Sequence, residues 1–153
     1  MMLAVASFTI DVTCIGVGVL HVTGHMPASL ALVDLSVVRW AHALPVFGLA
    51  GWGLLLPAQS LLLEYGFEYS KESTHMVNML RSSCATRVAG AFALMLLPPT
   101  PAFLGFFIIW ITASHAFRTS AVLLTFWYPT PLFIASCVLP LVDAVMFATV
   151  KIS

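Results

Sequence analysis

Ionisable side chains interrupt long apolar stretches of this sequence, where charged groups are costly and often functional. Arg39 and His42 are three residues apart and therefore share a side of a helix. Asp143 stands seven residues before position 150, where the last apolar stretch ends, which is roughly 10 Å along a helix. That stretch runs toward the end at which Arg39 and His42 lie. We expect Asp143 to contact Arg39 or His42.

A second set of polar side chains is expected near the opposite membrane surface. Glu64 follows one apolar stretch, Arg87 lies about one turn inside the next, and His115 interrupts the third. Arg118 comes three residues after His115 and shares its side of the helix. Since successive helices alternate in direction, these four side chains are expected to converge at one end of a bundle.

These residue types are suited to acid–base chemistry on a lipophilic metabolite. A buried carboxylate can act as a general acid or base, and a neighbouring Arg or His can stabilise developing negative charge. The apolar interior of a bundle suits a polyene, sterol or terpenoid. Epoxide hydrolysis, isomerisation and cyclisation require no cofactor and no metal, and none is predicted. The candidate catalytic residues are Asp143, Arg39, His42, Glu64, Arg87 and His115.

The composition predicts where such a site is housed. Of 153 residues, 61% are hydrophobic and 8% are charged, against about 25% charged in an ordinary soluble domain. Six Lys and Arg balance six Asp and Glu, so no basic patch is expected to bind a nucleic acid. A soluble globular enzyme, a disordered tail and a nucleic-acid binder are excluded. The prediction is an all-α membrane protein, a compact bundle of four to five transmembrane helices forming a single domain over residues 1–153.

Five apolar stretches approach the roughly 20 residues that cross a membrane. The first contains Asp11, Gly16 and Gly18, so it is expected to be the weakest, an extra or peripheral helix. Pro57 is expected to kink the second stretch, and the prolines at 98–101 and 129–131 are expected to make turns. The predicted spans are about 3–22, 40–63, 83–97, 102–124 and 132–150, with an exposed polar loop at 64–82.

The distribution of positive charge predicts the placement of the chain in a cell. The N-terminal apolar run lacks the basic region of a signal peptide, so we expect the first helix to be retained. Four Lys and Arg lie on the side of the long polar loop and two on the other side, which predicts a cytoplasmic loop. We expect a multi-pass protein of the endoplasmic reticulum or another internal membrane rather than of the plasma membrane.

A non-catalytic membrane subunit or scaffold is the main alternative. Eleven Phe and four Trp offer large apolar faces to lipid and to partners. The buried polar residues would then hold helices together in a homo-oligomer or a larger membrane complex. A b-type haem between His42 and His115 is disfavoured, because the two are expected near opposite faces. Asp143 favours the enzyme, because a pure scaffold has less reason to retain a carboxylate that deep.

The cysteines predict neither a disulfide nor a zinc site. Cys14, Cys84 and Cys137 are an odd number and lie in three different apolar stretches. Each is expected to be a small buried hydrophobic residue.

A resemblance rests on residues 48–66 (GLAGWGLLLPAQSLLLEYG), residues 87–97 (RVAGAFALMLL) and Asp143. In this pattern a Gly-rich helix is followed by a Pro and ends in Tyr-Gly, and the next helix begins with Arg-x-x-Gly. This pattern resembles small four-helix integral membrane proteins of fungi and bacteria, some of which are implicated in epoxide hydrolysis or cyclisation in fungal polyketide pathways. The Arg-x-x-Gly-x-x-x-Leu piece is also similar to the four-helix scaffold protein of sterol synthesis. The resemblance implies roles for Asp143 and Arg87.

Overall fold

The computed structural model describes residues 2–64, 68, 70–98, 100–125 and 131–152. The side chains of 2–4, 117–125 and 131–137, among them Arg118 and Cys137, lie outside the description. The chain is mostly helical, as predicted. Its elements are α1 (Met2–Val22), β1 (Val33–Asp34), α2 (Leu35–Pro45), α3 (Gly51–Leu55), α4 (Ala58–Glu64), α5 (Lys71–Leu96), α6 (Pro101–Thr125), α7 (Pro131–Ala148) and β2 (Val150–Lys151).

One end of the bundle gathers the ends of α1, α5 and α7 and the starts of α2 and α6. The short strand β1, before α2, pairs in parallel with β2, after α7, through Val33–Val150 and Asp34–Lys151. The ring of His21, in the last turn of α1, donates through Nε2 to the carbonyl of Phe147 in α7 at 2.7 Å. The strand pairing joins the start of α2 to the end of α7, and the His21 bond joins α1 to α7. We call this end of the molecule the Lys151 end.

The first helix is an integral part of the bundle and buries one face in it, which corrects the expectation of an extra or peripheral helix. α1 packs along both α6 and α7. A Cβ atom added at Gly105 would lie 2.6 Å from the carbonyl oxygen of Gly18 and 2.8 Å from the amide nitrogen of Val22. Two backbones this close leave no room for a side chain, so Gly18 and Gly105 are what allow α1 and α6 to meet.

The helix that follows β1 bends sharply at Pro57, as predicted. Leu56 is extended, with ψ of 137°, because a residue before proline is disfavoured in the helical region. The helical segments on either side, Leu35–Leu55 and Ala58–Glu64, are inclined by 113°. A guanidinium nitrogen of Arg81 in α5 donates to the Leu56 carbonyl, which the break leaves without a helical partner.

This helix also begins earlier than the predicted residue 40. It starts at Leu35 and runs to Leu55 through a π-helical stretch, Val46–Ala50, between α2 and α3. Pro45 lies directly before that stretch. Its missing N–H removes one helical hydrogen bond, which accounts for the local change of helix type.

The predicted polar loop at 64–82 is largely helical, because α5 already begins at Lys71. Ser70 starts this helix with a capping box: its hydroxyl accepts from the Ser73 amide at 3.1 Å, and the Ser73 hydroxyl accepts from the Ser70 amide at 2.7 Å. The polar composition of 71–82 suggested a loop, whereas the caps and the helical spacing of its buried residues decide the structure. α5 ends before Pro98, as expected.

The surface of the bundle is apolar and much of its interior is polar. Large hydrophobic side chains stand exposed on every long helix with described side chains, including Phe8, Trp40, Phe92, Phe106 and Trp110. Among the residues whose side chains are described, the buried polar ones are Ser7, Asp11, His21, His42, Ser73, Ser83, Arg87, Thr112, His115 and Asp143. An apolar cluster formed mainly by Leu104, Phe107, Ile108, Ile111 and Phe147 fills the space between them.

Length and composition qualify few helices as membrane spans within the described residues. Val5–Val22 is long and apolar enough to cross a membrane, and the bent pair Leu35–Leu55 with Ala58–Glu64 is a second candidate if it forms one span. The described apolar parts of the last two helices, Pro101–Ala116 and Val138–Ala148, are shorter.

Replacing Gly105 by Ala should destabilise the contact between α1 and α6. The added methyl group would meet backbone atoms, which cannot move aside as a side chain can, and overpacking of this kind costs about 1–3 kcal/mol. Gly16→Ala is the matched control, since a Cβ there meets no atom within 4 Å. It should be neutral or stabilise by up to about 1 kcal/mol through helix propensity. Unfolding of the detergent-solubilised variants measures both, and equal stability of the two would contradict the close packing.

Candidate functional site

Asp143 is the centre of a buried cluster formed by three helices. Its Oδ1 accepts a hydrogen bond from Nδ1 of His42 in α2 at 2.7 Å, and its Oδ2 accepts one from Nη1 of Arg87 in α5 at 2.9 Å. All three side chains are buried. Both carboxylate oxygens are therefore occupied, one by a ring nitrogen and one by a guanidinium.

Helical spacing directs the two partners inward. His42 lies on the buried side of α2, four residues after Val38. Arg87 belongs to a buried row of α5 that continues with Ala91 and Leu94. These rows recur every three to four residues, as expected for one face of a helix.

The second ring nitrogen of His42 is free. The ring lies edge-on to Phe107 at a centroid distance of 5.7 Å and tilted against Phe147 at 5.5 Å. Nε2 is buried and has no hydrogen-bond partner among the described residues. Since Nδ1 donates to Asp143, the neutral ring has its lone pair at Nε2.

Arg87 also has an unused donor. Its Nη1 is bound to Asp143, while its Nε is buried and has no hydrogen-bond partner among the described residues. The Asp143 carboxylate thus binds two side chains, the base His42 and the cationic donor Arg87. Each of them has one buried nitrogen without a hydrogen-bond partner among the described residues.

A second buried pair joins α1 to α6. Nδ1 of His115 lies 3.3 Å from Oδ1 and 3.4 Å from Oδ2 of Asp11, and both side chains are buried. The helix of His115 also packs against α5, which carries Arg87, and α1 packs against α7, which carries Asp143. The two clusters are therefore neighbours in one interior.

The structure places the predicted site residues differently from the expected two sets. Asp143 contacts His42, as one of the two alternatives proposed. Arg87 was expected at the opposite surface with Glu64 and His115, but it binds Asp143, because α5 is longer than predicted and brings residue 87 deep into the bundle.

Two other predicted residues lie apart from this cluster. Arg39 does not bind Asp143: its Nη2 donates to the carbonyl of Leu97 at 2.9 Å, and it lines an open cavity of about 350 Å³ with Asp34 and Lys151. Glu64 ends α4, and its buried Oε1 has no hydrogen-bond partner among the described residues.

Sequence reasoning gave Asp11 no partner, although a signal was present. The buried positions of α1 are 7, 11, 14, 18 and 21, which alternate by four and three residues. Ser, Asp, Cys, Gly and His occupy them, whereas Val5, Phe8 and Val12 point outward. A regular polar face of this kind indicates that the buried side of α1 contacts other polar groups inside the bundle.

The described residues contain no group of three or more His, Cys, Asp or Glu placed to hold a metal ion. The sequence matches no family model, no curated protein and no solved structure. The resemblance to small four-helix membrane proteins therefore stays a prediction.

Asp143→Asn should destabilise the fold strongly. It leaves the buried Arg87 guanidinium without its counter-charge, and breaking a buried pair in this way costs about 3–5 kcal/mol. The exposed Asp34→Asn, whose side chain makes no capping hydrogen bond, is the control and should stay within about 0.5 kcal/mol. Denaturant unfolding in detergent measures both.

The same unfolding experiment also tests the Arg87–Asp143 pair directly. Arg87→Met combined with Asp143→Asn should cost less than the sum of the single variants, since contacting residues are not additive. Strict additivity would contradict the Arg87–Asp143 contact.

Proposed function

We propose that this chain is an integral membrane protein whose helix bundle encloses an acid–base site for a lipophilic metabolite. The membrane placement is supported by large apolar side chains on the surface together with ionisable side chains in the interior. Exposed side chains such as Leu55, which is 85% exposed, and Leu96, which is 79% exposed, belong to an apolar exterior that lipid solvates well. The buried carboxylates and the buried arginine face the interior, as intramembrane charges do.

We propose five crossing segments, formed by α1, the bent helix 35–64, α5, α6 and α7. The last two helices have 25 and 18 residues, or roughly 38 and 27 Å at the helical rise, against a hydrocarbon core of roughly 30 Å. Asp143 is the single Asp, Glu, Lys or Arg of α7. An internal membrane such as the endoplasmic reticulum is the proposed location.

The observation that carries the proposed reaction is the free Nε2 of His42. Asp143 fixes the ring through Nδ1, so that Nε2 can accept a proton, in the same division of roles as a carboxylate–histidine pair in hydrolytic sites. Phe107 and Phe147 enclose the ring in apolar surroundings. His42 is therefore the proposed general base and Asp143 its positioning residue.

Arg87 supplies the complementary function. Its unpartnered Nε can donate to an oxygen that becomes negative as His42 removes a proton. In isomerisation or cyclisation, the substrate would lose a proton to Nε2 and regain one from it at another atom. In epoxide hydrolysis, Nε2 would take a proton from water as the water oxygen bonds to an epoxide carbon and the ring C–O bond breaks, and it would then return that proton to the opened oxygen. A polyketide- or terpenoid-like substrate fits this apolar setting.

His42→Gln tests the reaction. General-base catalysis contributes about 10²–10⁴-fold, so the variant should lose turnover on that scale. His75→Gln, at an exposed position of α5, is the matched control and should behave as the wild type. Mass spectrometry of apolar extracts from cells that express each form measures the outcome, with one added water as the mark of hydrolysis and a changed retention at equal mass as the mark of isomerisation or cyclisation.

Two results are informative. Metabolites altered by wild type and His75→Gln but not by an equally abundant, folded His42→Gln would support the proposal. Extracts identical for wild type, His42→Gln and cells without the protein would contradict it and favour a non-catalytic subunit or scaffold, to be recovered as a hetero-complex after mild solubilisation.

A further inference from the structure

The inward face of α1 carries exchangeable polar groups along most of its length. Ser7, Asp11, Cys14 and His21 are all buried on this face, and the first and last are 14 positions apart, or roughly 21 Å of helix. Neighbouring members are three, four or seven residues apart. The largest interval contains Gly18, which faces the backbone of α6.

Groups from α6 and α7 lie beside the middle of this face, at Asp11 and Cys14. His115 lies beside Asp11. The thiol of Cys14 donates to the carbonyl of Pro140 in α7 at 3.0 Å. Cys14 follows Asp11 by three residues in α1, and Pro140 precedes Asp143 by three residues in α7, so this bond joins the faces that carry the two buried carboxylates.

The charges of these groups do not balance without an additional proton. Among the described residues, the interior cluster holds the carboxylates of Asp11 and Asp143 but a single guanidinium, that of Arg87. An uncompensated charge in an apolar bundle is expensive. The histidines His42 and His115, each beside one of the carboxylates, give the cluster four sites at which one extra proton can reside.

The two ends of the row approach the two ends of the bundle. At the Lys151 end, His21 lines an open cavity of about 270 Å³ together with Gly24 and Pro101. Toward the other end, Ser7 lies one turn beyond Asp11, and its buried Oγ has no hydrogen-bond partner among the described residues. An unpartnered buried hydroxyl is a group that a water molecule or a passing proton would satisfy.

We propose that this row conducts protons across the membrane, from the cavity at His21 through the Asp143 and Asp11 clusters to Ser7. Each group accepts a proton on one side and releases another on its other side, so that one N–H, O–H or S–H bond forms as one breaks. The net result is one proton moved, and no co-reactant is consumed. The pathway requires the membrane placement proposed above but not the reaction at His42.

Reconstitution of the full chain into phosphatidylcholine vesicles that enclose a pH-sensitive dye tests this function. A potassium gradient with valinomycin supplies the driving potential. Wild-type vesicles should acidify or alkalinise with the sign of the potential and faster than protein-free vesicles. Asp11→Asn and His115→Gln should return the rate to the protein-free level, because each removes an exchangeable site while preserving approximate shape.

Asp34→Asn and His75→Gln are the matched controls at exposed positions, and both should retain the wild-type rate. Size-exclusion chromatography of each protein before reconstitution confirms that a slow variant is folded, and Ser7→Ala provides a second, milder test of the same row. A wild-type rate equal to that of protein-free vesicles would overturn the proposal, as would a wild-type rate in folded Asp11→Asn. Metabolite turnover, which depends on His42, is measured separately and can fail or succeed on its own.

Discussion

The buried carboxylate of Asp143 sets the arrangement of the helices around it. A charge in an apolar interior is tolerated only when its hydrogen-bonding capacity is used. Its two oxygens are bound by side chains from two other helices, His42 of α2 and Arg87 of α5. These bonds fix the depth of α2 and α5 relative to α7. The same requirement acts on Asp11, which meets His115 across the interface of α1 and α6, where Gly18 and Gly105 allow a close approach.

In α1 and α7 the charged side chains turn toward the interior of the bundle, and the apolar faces of the same helices therefore lie on its exterior. The helices have few charges, and those of α1 and α7 with described side chains point inward. The remaining surface of these helices is covered by residues such as Phe8 and Val145. In the membrane placement proposed above, such a bundle would gain little from burying its apolar surface against itself. Its specificity would then come from close glycine contacts and from paired charges, as in helices packed in lipid.

The sequence predicted the helical fold and, as one of two alternatives, the contact between Asp143 and His42, because helix direction and rise are sufficient to place residues at similar depth. Arg87 was misplaced because the polar residues at 71–82 concealed the first half of α5. Arg39 does not contact Asp143 because it donates to the carbonyl of Leu97 at the end of α5. The next residue, Pro98, has no N–H, and carbonyls at a helix end lack partners within the helix. The Asp11–His115 pair depends on the tight contact of α1 with α6, which no spacing within one helix reveals.

Quenching of Trp110 fluorescence tests the central claim that the apolar exterior faces lipid. Trp110 is 50% exposed on α6, nine residues from its start or roughly 14 Å into the bundle. A variant that retains Trp110 and has Phe at the other three Trp positions is reconstituted into vesicles. Lipids brominated on their acyl chains should quench its emission strongly, and aqueous acrylamide should quench it weakly. Strong quenching by acrylamide with none by brominated lipid would contradict the account.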